Sequence, residues 1–360
     1  MLDSKLDTFL VLCETRNYTR AASVLNITQP AVTQHIKYLE NHYSTKLFYY
    51  DEKRGLHLTE NGKLLRAFAQ TVQADSVQIA QRLKAPPEEP DKLKIGTIVT
   101  TGESLVPLMV AEYLRRYPNK KVSMYLDEAD ALLEQLKNGR IQFCITDIHC
   151  PQETYERKEL FEGETICICS PKCPLAQRTV DFCDLTDLRL IFRENDTYSK
   201  RNLMKILHDH NQDITNFSSY VEVGTINAVK KLVMENIGIS FTYRFVVQDD
   251  LDSGHLSQIY VRNFLSRSFF NMTWMKNSFF TPLCLQFLDV CRAVLASPDF
   301  PSNSLLELHS TKRLCLPKKV RLEPSFFYKL KEPPLGLFLF FLSAFTYPPL
   351  IPWCSPGPSL

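Results

Sequence analysis

The chain has 360 residues, 44% of them hydrophobic and 23% charged, with a formal net charge of +2, the profile of a globular protein of two or three domains. Asp3, Lys5 and Asp7 break up the opening stretch, which excludes a secretory leader, so the eleven cysteines read as reduced thiols of a cytoplasmic protein and not as a disulfide framework. Residues 301–360 hold seven Lys/Arg against three Asp/Glu, which leaves 35 basic and 37 acidic residues in 1–300; attraction to nucleic acid must therefore come from a local patch.

Leu2, Leu6, Phe9, Leu10 and Cys13 mark a first amphipathic helix. Residues 18–39 then read as helix, tight turn, helix. Ala21, Ala22 and Leu25 share one face, Asn26 and Ile27 form the turn, and the Thr28 hydroxyl caps the second helix, where Pro30 is tolerated in the first turn. Val32, Ile36, Leu39 and Tyr43 fall on one stripe. At about 100° per residue, Pro30, Gln34, Lys37 and Asn41 point the other way, with Thr33 on the flank. This slim polar face suits a DNA major groove, where amides and hydroxyls read base edges. An ordinary helical hairpin with a solvated face carries the same local pattern.

Leu47 and Phe48, a charged turn ending in Gly55, and Leu56 to Thr59 predict a short hairpin, the wing of a winged helix, with Lys53 and Arg54 at its tip to meet phosphate. A long helix follows over 59–84. Its Leu65, Ala69, Val72, Ser76, Ile79 and Leu83 repeat at steps of four and three, a seam that calls for a partner helix. Residues 85–90, APPEEP, make a stiff charged linker.

Beyond the linker, strands and helices alternate. Strands are expected at 93–99, 122–126, 143–146, 165–169, 190–192, 220–223, 239–242 and 269–274. Helices are expected at 104–117, 130–138, 200–210, 226–235 and 282–296. Such alternation predicts a parallel sheet with helices on both faces. Cys167, Cys169, Cys173 and Cys183 invite a metal reading, but C-x-C spacing alone is weak evidence for zinc and buried thiols are the simpler reading. No nucleophile elbow, P-loop, HExxH or dinucleotide fingerprint occurs, so no catalytic residue, metal or cofactor is assigned. Residues 301–360 hold 10 of the 21 prolines, and their longest apolar run, 335–347, falls short of the roughly 20 residues that span a bilayer. This tail reads as a non-native or read-through addition, with a membrane anchor as the runner-up.

Phe9, Ala21-Ala22, Leu25, Thr28-Gln29-Pro30-Ala31-Val32-Thr33, Ile36, Leu39-Glu40, Leu47-Phe48, Leu58-Thr59 and Gly62 stand in the order of a long motif. By these residues the chain resembles the LysR-type transcriptional regulators, and Cys173-Pro174-Leu175-Ala176, Asp184-Leu185 and Ile237-Gly238-Ile239 continue the resemblance to about residue 297. The chain departs from the family at Tyr43-Ser44, where a glycine is usual, at Phe48-Tyr49-Tyr50 in place of F-x-R, and at Asn236 in place of glycine.

The resemblance implies an α/β protein overall. It places a winged helix-turn-helix at 1–59, a linker and dimerisation helix at 60–84, a linker at 85–91, and a two-lobed effector domain like the periplasmic binding proteins at 92–297. Lobe I would be 92–164 and 268–297, lobe II 165–267, with crossings at Thr165 and Arg267. It further implies double-stranded DNA as partner, read by Gln29, Pro30, Thr33, Gln34 and Lys37 with Lys53 and Arg54 on phosphate. Self-association as a homodimer or homotetramer would run through Leu65, Val72, Ile79 and Leu83, and RNA polymerase would be contacted. A small metabolite would bind between the lobes; the helix starts after hydroxyl residues, namely Thr100, Thr101, Gly102 and Ser104, then Thr197 and Ser199, then Thr225, point to an anion, while Glu103, Glu194 and Asp196 leave an amino acid-like ligand open. A cytosolic receptor of the same two-lobed fold without DNA binding is the alternative.

Overall fold

The computed structural model describes residues 3–84, 92–148, 150–194 and 198–297. The linker at 85–91, Thr197 and the tail at 301–360 lie outside the described residues, as does the side chain of Ser199.

The first helices are α1 (Ser4–Thr15), α2 (Tyr18–Leu25) and α3 (Gln29–His42). Each begins at a side-chain cap: Asp3, Asn17 and Thr28 accept from the N–H groups of Lys5, Arg20 and Ala31. Phe9, Leu12, Ala21, Val32, Ile36 and Leu47 close a small core. Asn26 ends α2 in the left-handed conformation, φ +55°, which asparagine tolerates. Tyr43 departs from expectation. It caps α3 and is 45% exposed, because the core ends at Leu39 and the chain turns away at Ser44, φ +48°. The wing is β1 (Phe48–Asp51) paired antiparallel with β2 (Gly55–Leu58).

Helix α4 (Glu60–Lys84) follows, capped by the Thr59 hydroxyl, which accepts the Gly62 N–H at 2.9 Å. A Cβ on Gly62 would meet the Leu47 carbonyl oxygen at 2.2 Å, so only glycine lets α4 approach the wing base this closely. The far half of α4 docks on the body that follows. Asp75 accepts the Ser278 hydroxyl at 2.6 Å and the Phe279 N–H at 2.7 Å, and Thr71 donates to the Lys276 carbonyl at 3.0 Å.

The body contains β3 (Lys92–Thr97), α5 (Val99–Ser104), α6 (Val106–Arg116), β4 (Lys121–Leu126), α7 (Ala129–Lys137), β5 (Phe143–Thr146), β6 (Tyr155–Cys169), β7 (Thr179–Val180), β8 (Arg189–Arg193), α8 (Tyr198–Asp209), β9 (Ser219–Val223), α9 (Ile226–Met234), β10 (Ser240–Tyr243), α10 (Arg244–Asp252), β11 (Ser257–Val261), β12 (Ser266–Met275) and α11 (Thr281–Leu295). The main sheet runs β4-β3-β5-β12-β6-β11-β7, with β10 also on β6, and β8-β9 pair separately. It is mixed, not parallel as expected: β3 is parallel to β4 and β5 and β11 is parallel to β7, while β12 is antiparallel to β5 and β6, and β10 and β11 are antiparallel to β6. The reason is β6, a 15-residue strand whose first ten residues were missed because YERKELFEGE carries six charged side chains. Those residues pair with β12, and at Thr165 the pairing passes to β10. One core lies on the β3-β5-β12 side and includes Trp274 and Phe287, while two smaller ones flank β8 through Leu190 and Ile191.

Residues 99–104 also differ from the expected strand and loop. The strand ends at Thr97 and a short helix starts at once, held by a 2.8 Å hydrogen bond between the hydroxyls of Thr97 and Thr101. Helix α10 was missed because it follows β10 without a Gly or Pro between them.

Candidate nucleic-acid interface and ligand cleft

The inner face of α3 is fixed by Val32, Ile36 and Leu39, all at most 3% exposed, and by a 2.8 Å hydrogen bond between the His35 Nδ1 and Thr8 hydroxyl. Gln29, Pro30, Gln34 and Lys37 are exposed on the outer face and Thr33 is half-buried. The Gln29 amide donates to the Thr33 hydroxyl at 3.0 Å, and that hydroxyl donates to the Gln29 carbonyl at 3.2 Å. This pair is committed to itself. Gln34 and Lys37 form no hydrogen bond or ion pair with the described residues, so their polar groups are available to base edges.

Lys53 and Arg54 are exposed at the tip of the wing. Asp51 shapes that tip, since one carboxylate oxygen accepts the N–H groups of Lys53 and Arg54, each at 2.9 Å. Asp51, an acidic residue beside the two cations, is therefore the one that presents them. Tyr49 stacks on His57 with ring centroids 5.7 Å apart, while Tyr50 is 74% exposed.

On α4, Leu65 is buried with Ala69 in the winged-helix core. It is thus not available to a partner helix, because its own domain covers it. Val72 and Ile79 are half-buried and Leu83 is exposed. With Leu64 and Phe68, which are also exposed, they form an apolar stripe turned one step from the seam read in the sequence.

The second site lies between the two halves of the body. A cavity of about 40 Å³ is lined by Thr100, Thr165, Arg193, Asn202, Phe241 and Tyr243 among others. Thr165 Oγ1 and Arg193 Nε are buried and lack hydrogen-bond partners among the described residues. Of the described residues expected here, only Thr100 lines the cavity. The Thr101 hydroxyl is engaged by Thr97 and that of Ser104 by the Thr100 carbonyl at 2.7 Å. Gly102 packs on Thr97 and Leu126. Thr225 is an exposed cap that accepts the Ala228 N–H at 3.2 Å. Arg193 and Thr165 escaped notice as site residues because nothing local distinguishes a strand residue facing a cleft from one facing a core.

Next to the cavity, the Tyr243 hydroxyl donates to Asp147 at 3.0 Å and lies 3.0 Å from the Ser268 hydroxyl. Burial pushes the Asp147 carboxyl up to about 6, against the opposing effect of the Tyr243 hydrogen bond. Burial likewise raises the Cys167 and Cys169 thiols, Cys169 to about 12, so both stay protonated and unreactive at neutral pH.

Residues 4–63 match the family described as bacterial regulatory helix-turn-helix protein, lysR family, and residues 88–296 match the LysR substrate binding domain. The HTH-type transcriptional regulator YwqM of Bacillus subtilis is 27% identical over 294 residues, which cover 80% of this chain and 97% of that protein. Among solved structures, full-length LysG of Corynebacterium glutamicum with bound effector Arg aligns at TM-score 0.52 and 16% identity, covering 81% of this chain and 98% of that one. The CcmR regulatory domain of Synechocystis in complex with 2-PG aligns at TM-score 0.51 and 19% identity, covering 57% and 98%.

Proposed function

The chain belongs to the LysR family of bacterial transcriptional regulators, with a helix-turn-helix domain and an effector-binding domain, and from that premise we propose how this member reads DNA and what controls it. Gln34 and Lys37 read base edges in the major groove. Gln29, Thr33 and Pro30 set the helix start against the backbone, and Lys53 and Arg54 hold phosphate on the flank. The observation that carries this reading is the pairing of a locked inner face, Val32, Ile36 and Leu39, with exposed side chains at 34 and 37.

The effector is a small anion held between the lobes by Arg193, Thr165 and Thr100. Two buried polar atoms without partners, Arg193 Nε and Thr165 Oγ1, support a ligand with acceptor oxygens. Thr197 and Ser199 adjoin that site in sequence. The cavity of about 40 Å³ has room for a water or two, so a metabolite enters as the lobes part. LysG holds the effector Arg and the CcmR regulatory domain holds 2-PG. Arg193 favours the anion here.

The protein assembles as a homodimer or homotetramer through Phe68, Val72, Ile79 and Leu83, works in the cytoplasm and contacts RNA polymerase. Among the described residues no helix is long and apolar enough to cross a membrane. The test is selection of bound genomic fragments by the purified chain, followed by calorimetric screening of anionic metabolites against wild type, Arg193→Gln and Thr165→Ala. Enriched fragments and a ligand that both variants bind at least tenfold more weakly are expected. A cognate ligand bound equally well by both variants would remove the proposed site.

A further inference from the structure

A larger cleft, about 750 Å³, opens elsewhere, where the wing, the first turns of α4 and the start of β6 meet. Arg16, Lys63, Arg66 and Lys137 line it against Glu60 and Glu153. Lys63 is paired with Glu60 at 2.6 Å and Lys137 with Glu134. Arg16 and Arg66 have no ion-pair partner among the described residues. Two guanidinium groups thus face one space, opposed by a single unpaired carboxylate, Glu153.

The wall opposite the wing contains Tyr155. It is 4% exposed, and its hydroxyl oxygen is buried without a hydrogen-bond partner among the described residues. Folded proteins seldom leave such a group unpaired. The cleft therefore brings together unpaired cations, an unused buried hydroxyl and ample room. The interlobe cavity shares none of these residues.

We propose that this junction cleft binds a phosphate- or carboxylate-bearing anion, with Arg16 and Arg66 as its charged contacts and Tyr155 as a hydrogen-bond donor. The planar guanidinium fork matches two acceptor oxygens at once. Because the walls belong to the wing, the linker helix and the effector body, a bound anion ties the wing to that body. Occupancy then biases how the wing is presented to DNA, by the differential affinity of the anion for the two arrangements. The anion has two sources, a free small molecule or a phosphate of the DNA backbone beside the wing.

The experiment uses the full chain and inorganic phosphate as probe, titrated by calorimetry at constant ionic strength. A random-sequence duplex is titrated in parallel over a salt series. Wild type is compared with the Arg16→Gln/Arg66→Gln double variant, with Tyr155→Phe and with Glu153→Gln, an exposed position whose change leaves the fold intact. Saturable phosphate binding is expected in wild type, weakened about tenfold or more in the double variant and several-fold in Tyr155→Phe. In Glu153→Gln it should tighten about two- to threefold as a repelling charge is removed. If phosphate fails to saturate while the double variant loses duplex affinity and its log K against log salt slope falls by about two, the anion is the DNA backbone and the site stands. If neither phosphate nor duplex binding responds to the double variant or to Glu153→Gln, the proposal is overturned.

Discussion

Asp147 follows β5 in one half of the body and holds Tyr243, the residue that heads α10 in the other. Replacing it with asparagine keeps an acceptor for the Tyr243 hydroxyl and removes the charge. In the folded chain burial lifts this carboxyl from 3.8 to about 6. Glu128 reinforces that shift, while Tyr243 and Arg201 oppose it. Below pH ~4 the group is protonated in both folded and unfolded chains and contributes nothing. Between pH ~4 and ~6 the folded chain holds a proton that the unfolded chain has released, so stability falls as pH rises through that window. Above pH ~6 the full cost is present, about 2 pH units at ~1.4 kcal/mol each, or about 3 kcal/mol. Asp147→Asn never ionises, so its stability relative to wild type should climb by about this amount between pH 4 and 7.5. The assay is thermal unfolding of both proteins across that range, followed by the fluorescence of Trp274, which is buried in the same core. Every other titrating group cancels in the difference. A gap of several degrees should open between pH 4 and 7.5. A flat difference, or one that closes as pH rises, refutes the reasoning.

Ser44 sits at φ +48°, where a non-glycine residue costs ~1–2 kcal/mol, so Ser44→Gly should raise the unfolding midpoint of the winged helix, read by circular dichroism on the full chain. Phe68 is 56% exposed on the apolar stripe of α4. Phe68→Asp should leave the subunit folded but put a charge into the helix pairing at a cost of several kcal/mol, seen in sedimentation as a shift to smaller species; an unchanged distribution removes α4 from the interface. A Cβ on Gly139, at φ +62°, would meet the Ala74 carbonyl oxygen at 2.3 Å. Gly139→Ala should therefore loosen α4 from the body and raise amide exchange at residues 71–78, while Asp75→Ala should do the same by deleting two charge-assisted hydrogen bonds of ~1.5–3 kcal/mol each.

The helix-turn-helix was legible because its signals are local. Thr28, Pro30 and the Val32, Ile36, Leu39 stripe need only period and capping, and they form the elements they imply. The same holds at Asn236, which replaces a glycine and takes φ +59°. What was illegible depends on what covers a surface. The seam through Leu65 has the right period, but a period does not say whether the partner is another copy or the chain's own domain; the winged-helix core takes in Leu65 and leaves Leu64 and Phe68 bare. The effector site suffered similarly. Hydroxyls at 100–104 looked like a helix cap, whereas that of Thr101 is bound to Thr97 at the end of β3 and that of Ser104 to the Thr100 carbonyl within a short helix. Arg193 and Thr165 acquire meaning only once β8 and β6 bring them to one cavity. Charged residues along the first part of β6 hid a strand that β12 pairs throughout.

Reading of DNA by α3 through side chains held ready on its outer face is tested most directly by fluorescence anisotropy. Wild type and Gln34→Ala are titrated onto a duplex selected from the genome and onto a random duplex of equal length, at two salt concentrations. Wild type should prefer the selected duplex by about a thousandfold or more, and Gln34→Ala should lose roughly 1–3 kcal/mol on that duplex and little on the random one. Equal affinity of wild type for both duplexes, or equal losses by Gln34→Ala on both, would contradict it.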